Sequence, residues 1–140
     1  MTLTRRHFIA LSAGTVAAAT FGVNAGFAST TDEDIAKITG GATPSEGGVT
    51  LTAPEIAENG NTVPIGVDAP GAKSITVFAD GNPVPAVATF KFGPLSASRS
   101  ASTRIRLAKT QNVVALAEME DGSFKITKAN VKVTIGGCGG

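Results

Sequence analysis

From Val49 to Ile135 apolar and polar residues alternate in short runs, a period that puts successive side chains on opposite faces of an extended chain. Val49 and Leu51 alternate with threonines. Val63, Ile65 and Val67 alternate with Pro64 and Gly66, and Ile75 and Val77 lead into Asp80-Gly81, a hairpin-type turn signal. Further runs cover Val87 to Phe92, Thr103 to Leu107 and Val113 to Met119; in the second, Ile105 and Leu107 face one way and Arg104 and Arg106 the other. Asp121-Gly122 is the next turn signal, followed by strands at Phe124 to Thr127 and at Val131 to Ile135. Roughly seven or eight short strands at regular spacing predict an all-β, immunoglobulin-like antiparallel β-sandwich over residues 49–135. The prolines at 54, 64, 70, 83, 85 and 94 fit strand ends and edges, because proline cannot donate to a central ladder.

The pattern differs before Val49. Thr31 is a candidate N-cap with Asp34 three positions on, Ile35 and Ile38 give a small apolar edge, and Gly40-Gly41 ends the segment, which predicts a two-turn helix. Pro44 and Ser45 follow among glycines, which is loop chemistry. Residues 29–48 are therefore expected to form a helix and loop that carry no core.

Residues 1–28 read as an address. Thr4-Arg5-Arg6-His7-Phe8-Ile9 is a twin-arginine pattern, followed by an Ala-rich apolar stretch and by small residues ending at Gly26-Phe27-Ala28, so a Tat signal peptide cleaved near Ala28 is expected. A membrane anchor fits less well: the apolar run is about 13 residues against the roughly 20 a spanning helix needs, and Ser12, Gly14 and Thr15 interrupt it. The expected location is the periplasm, with no membrane attachment after cleavage. The Tat route carries folded cargo, either because a cofactor is inserted first or because a partner without a signal travels along. One His, itself in the signal, and one Cys offer no ligand set, so no cofactor and no metal site are expected and the travelling partner is the better explanation.

Composition and charge narrow the field further. The chain lacks Trp and Tyr but has 17 Gly and 7 Pro, which leaves few aromatic groups for a cofactor pocket and favours a small β-rich protein. The formal charge of +1 includes Arg5 and Arg6; without them 10 basic residues face 11 acidic ones, and no nucleic-acid footprint exists at that balance.

Candidate chemistry is concentrated at the C-terminus. After Ile135 come Gly136, Gly137, Cys138, Gly139 and Gly140, in which the thiol is the only side chain. Five such residues extend at most roughly 17 Å, and a glycine backbone is slim enough to carry a sulfur atom into another protein's pocket. A thiolate forms bonds to sulfur that other enzymes can break. Residues 136–140 are thus expected to act as a swinging arm with Cys138 as a covalent attachment point. A buried small hydrophobe is the usual role of a lone cysteine, but little can cover one so near a glycine-rich terminus. Cys138 is third from the end and so fails prenylation spacing, and it has no companion metal ligands. The serious competitor, from a different functional class, is an exported structural or interaction module that uses Cys138 for an intermolecular disulfide; a disulfide-linked dimer can also coexist with carriage. A free-standing enzyme is not expected: Lys132 and Lys128 are the nearest cations and no base lies near, so activation of the thiol must come from a partner. A sulfur carrier of the ubiquitin-like kind is disfavoured by export and by the lack of a β-grasp helix.

Three segments carry a resemblance: Val131 to Gly140 (VKVTIGGCGG), Pro54 to Pro64 (PEIAENGNTVP) and Thr103 to Gln111 (TRIRLAKTQ), placed after a Tat signal. In these the chain resembles the SoxY family, the sulfur-carrier subunits of the periplasmic thiosulfate-oxidising system. The resemblance implies an immunoglobulin-like domain paired as a heterodimer with SoxZ, which has no signal of its own. It implies that the cysteine at the position of Cys138 is joined oxidatively to thiosulfate by the haem c enzyme SoxAX. It further implies that the hydrolase SoxB releases the terminal sulfone as sulfate, and that the sulfane dehydrogenase SoxCD, where present, oxidises the sulfur that remains. The carrier itself catalyses none of these steps. The stretch Asp68 to Lys73 is shorter than the family pattern and lacks its Ser-Pro-Met sequence. Glu55, Glu58, Asn59 and Asn61 could form a docking surface, but a tight turn at Asn59-Gly60 with a solvated rim explains them singly, and Arg104 and Arg106 are likewise best read as a solvated strand face.

Overall fold

The computed structural model describes residues 30–134. The expected signal peptide (1–28), Ile135 and the terminal Gly136, Gly137, Cys138, Gly139 and Gly140 lie outside the described residues. Among the described residues one helix, α1 (Thr30–Thr39), precedes nine strands: β1 (Ser45–Glu46), β2 (Thr50–Thr52), β3 (Ile56–Ala57), β4 (Val63–Asp68), β5 (Ala72–Ala79), β6 (Ala86–Lys91), β7 (Ser100–Ile105), β8 (Gln111–Met119) and β9 (Phe124–Val133). The strands form two sheets, β1-β9-β8-β5-β6 and β2-β4-β7, with β3 also paired to β9. This is the predicted all-β, immunoglobulin-like sandwich. All pairings are antiparallel except the two-residue ladders that β1 and β3 make with β9, which are parallel.

The period-two pattern explains the layering. In β4 the side chains of Val63, Ile65 and Val67 are buried while Pro64 and Asp68 are exposed. Pro64 lies beyond the last β2 rung, Thr52 to Gly66, where β4 has a neighbour on one side only and a missing donor is tolerated. Across from β4, the alternate residues Ile75 and Val77 of β5 and Val113, Ala115 and Ala117 of β8 complete the core between the sheets.

β5 and β8 do not alternate cleanly, because both of their faces are covered. On the side away from the small sheet, Phe78, Val114 and Leu116 form a second cluster against Ile35, Phe124 and Ile126. This corrects the expectation that residues 29–48 carry no core: α1 lays Ile35 onto the large sheet, and β1 adds two rungs to β9. Thr31 lies inside α1 rather than capping it, with its hydroxyl buried and without a hydrogen-bond partner among the described residues. Asp34, read as its capping partner, instead pairs with Lys37 at 3.0 Å.

Other boundaries shift for local reasons. Phe124 to Val133 is one strand rather than two, because the intervening Lys128, Ala129 and Asn130 keep register with Val114, Val113 and Asn112. The shortened Asp68 to Lys73 stretch is a tight Pro70-Gly71 turn closed by the Ala72 N–H on the Ala69 carbonyl. Leu107 is fully buried although β7 ends at Ile105.

Candidate functional site

Cys138 lies outside the described residues, so the site is built from what holds the strand that leads to it. β9 emerges at one end of the sandwich, and the loops around that end are tied to it and to one another. On one side the N–H of Lys132 donates to the Glu55 carbonyl at 2.9 Å and that of Thr134 to the Ala57 carbonyl at 3.1 Å. On the other side the N–H of Val133 donates to Thr110 Oγ1 at 2.9 Å. The loop before β4 joins the loop after β7 where the Leu107 N–H donates to the Gly60 carbonyl at 2.7 Å.

The three segments that carried the resemblance thus meet at the root of the terminus: Pro54 to Pro64 through Glu55, Ala57 and Gly60, Thr103 to Gln111 through Leu107 and Thr110, and the segment from Val131 through β9 itself. Asn59 forms the expected turn, its side-chain oxygen accepting the Asn61 N–H at 3.0 Å. Glu55 and Glu58 are exposed, as a rim should be, and Arg104 and Arg106 are exposed while Ile105 and Leu107 are buried.

Sequence reasoning missed the residues that stitch these loops together. Gln111 is 5% exposed. Its Oε1 accepts the Gly81 N–H at 2.8 Å, and its Nε2 donates to Asn82 Oδ1 and to the Lys109 carbonyl, each at 3.0 Å. Asn82 in turn donates to the Arg106 carbonyl at 2.7 Å and accepts the Ala108 N–H at 3.0 Å. Nothing in periodicity marks a glutamine that opens a strand as a hub; only its position at the end of the TRIRLAKTQ segment pointed to it.

Beside the root lies an open groove of about 410 Å³ whose walls include Pro54, Ile56, Ala57, Glu58 and Asn59. Ile56 is 56% exposed there, an unusual position for a large aliphatic side chain. Among the described residues no group of three or more His, Cys, Asp or Glu is placed to hold a metal. Among the described residues, two groups with a moved proton affinity sit elsewhere. Asp34, by its hydrogen bond and then its charge, raises the Lys37 ammonium in α1, and the Ser123 hydroxyl holds the Asp121 carboxyl down in the β8–β9 turn.

Fold and site together define an immunoglobulin-like sandwich whose last strand is clamped on both sides before a cysteine-bearing terminus. Two solved superoxide reductases share the architecture: the neelaredoxin of Ignicoccus hospitalis (15% identity, 62% of this chain and 80% of that one, TM-score 0.55) and a putative one from Thermotoga maritima (18%, 66% and 89%, TM-score 0.54). At those identities the likeness is one of fold alone. The model for sulfur oxidation protein SoxY matches residues 35–138, ending on Cys138. The solved sulfur carrier protein SoxY of Chlorobium limicola f thiosulfatophilum is 39% identical, covering 77% of this chain and 99% of that one, with a TM-score of 0.66. The chain belongs to the SoxY family. No curated protein matches it.

Proposed function

We propose that this chain is a sulfur carrier of thiosulfate oxidation that holds sulfur intermediates covalently on Cys138 and presents them to partner enzymes in the periplasm. The observation that carries the reading is that the family match runs to Cys138 while the described residues build a stitched base around the strand leading there.

The chemistry asked of the chain is modest. The Cys138 thiolate and the outer sulfur of thiosulfate form a sulfur–sulfur bond, and the two electrons released go to the haem c enzyme, SoxAX, giving a cysteine S-thiosulfonate. In the SoxB step water attacks the terminal sulfonate sulfur, its bond to the next sulfur breaks, sulfate and protons leave, and a persulfide stays on Cys138. An ordinary thiol has a pKa of about 8.5 and is only a few per cent thiolate at pH 7, so the enzymes that receive Gly136 to Gly140 must supply the activation. The chain supplies attachment and presentation and no catalysis.

Two further parts of the reading rest on the sequence. The twin-arginine pattern at Arg5 and Arg6 favours export of a folded complex, and a SoxZ partner without a signal accounts for that route. Substituting both arginines by lysine should remove the protein and its partner from the periplasm together; a partner that still arrives alone argues against joint export.

The decisive variant is Cys138→Ser in the producing cell. Thiosulfate oxidation should stop while the protein accumulates to its normal level. Oxidation that continues overturns the carrier reading and leaves Cys138 as a disulfide-forming residue.

A further inference from the structure

We propose that Thr110 is a positioning residue that fixes where β9 ends and the cysteine-bearing terminus begins. Its functional consequence rests on the carrier reading; its structural consequence does not. β8 opens at Gln111, whose partner on β9 is Val131. Two residues further along β9, Val133 would take its next rung on that side from Lys109. That rung is missing, because the chain is drawn away there: the Lys109 carbonyl accepts Gln111 Nε2 at 3.0 Å, and the Ala108 N–H is held by Asn82 Oδ1 at 3.0 Å.

The Thr110 hydroxyl takes the place of the lost backbone groups. Its oxygen accepts the Val133 N–H at 2.9 Å and its proton is directed to the Val133 carbonyl at 3.4 Å. One side chain therefore supplies both halves of the missing rung. On the opposite flank Ala57 accepts the Thr134 N–H, so the end of the strand is gripped from both sides within two consecutive residues.

Without the hydroxyl, the last tie on the β8 side is the Gln111 to Val131 rung. Lys132, Val133 and Thr134 are then held from the β3 side alone, through the Glu55 and Ala57 carbonyls. A strand end gripped on one flank only directs the chain toward Cys138 less firmly, which lowers the effective concentration of the thiol at any one target. Thr110 thus completes the two-sided grip on the strand end from which the chain continues to Cys138, and it does so from an exposed position where substitution leaves the core alone.

The test compares Thr110→Val, which keeps the shape and removes the hydroxyl, with Thr110→Ser, which keeps the hydroxyl. Amide exchange at Val133 should be roughly fivefold faster in Thr110→Val, the value of one net hydrogen bond, and unchanged in Thr110→Ser. Enzymatic loading of Cys138 with thiosulfate should slow in Thr110→Val and recover in Thr110→Ser, while alkylation by iodoacetamide, which needs no directed entry, proceeds equally in all three. Unchanged exchange in Thr110→Val, or equal loading by all three proteins, overturns the proposal. If the wild type itself accepts no sulfur the carrier reading fails, and the exchange comparison still decides the role of Thr110.

Discussion

Gln111 Oε1 accepts the backbone N–H of Gly81 at 2.8 Å, an approach so close that a Cβ built on Gly81 would lie 2.9 Å from Gln111 Cβ and 3.0 Å from Lys109 Cε. The Lys109 stem can swing aside, but Gln111 Cβ is fixed to the first residue of β8. Gly81 is therefore required by contact, independent of any turn preference. Gly81→Ala should destabilise the protein by about 1–3 kcal/mol in urea unfolding. Gly93→Ala, at a position with open space around it, should be close to neutral. Equal effects would contradict the contact argument.

The second cluster predicts that the N-terminal helix is part of the folded unit. Phe78 is fully buried, and Phe78→Ala should cost about 3–5 kcal/mol. Ile35 contributes from α1 and is only partly buried, so Ile35→Ala should cost less, about 1–2 kcal/mol. An Ile35→Ala protein as stable as the parent would mean that α1 merely rests on the sheet.

The β8–β9 turn carries a pH signature. Asp121 Oδ1 accepts the Ser123 hydroxyl at 2.6 Å and the Ser123 N–H at 2.8 Å. These bonds favour the ionised carboxylate and lower its pKa from the ordinary 3.8. A carboxylate depressed on folding contributes stability above its unfolded pKa and loses it as pH falls through the folded value. Because Asp121 is fully exposed, the effect belongs to the turn rather than to global unfolding. A carboxyl titration by NMR should place the Asp121 midpoint below 3.8 in the parent and closer to it in Ser123→Ala, while a midpoint unmoved by that change would contradict the assignment.

Much of this was legible in the chain, and the exceptions have physical causes. Alternation gave β4, β7 and the small sheet because each has one wet face. It blurred at β5 and β8, whose second face is dried by Ile35, Phe124 and Ile126, and a short helix offering one half-buried isoleucine gave no warning of that. The two-residue parallel ladders at Ser45 and Ile56 are too short for any periodic signal. At the site, Cys138 stood out because nothing around it has a side chain, whereas Thr110, Asn82 and Gln111 act through bonds to distant backbone that no local pattern encodes.

The central claim is that Cys138 carries sulfur. Mass spectrometry of the C-terminal peptide, from protein isolated under non-reducing conditions out of cells oxidising thiosulfate, tests it most directly. Thiosulfonate and persulfide adducts should appear on Cys138 and vanish when thiosulfate is withdrawn. A thiol that stays bare, or is found only as a disulfide between two copies, while the same cells oxidise thiosulfate would contradict it.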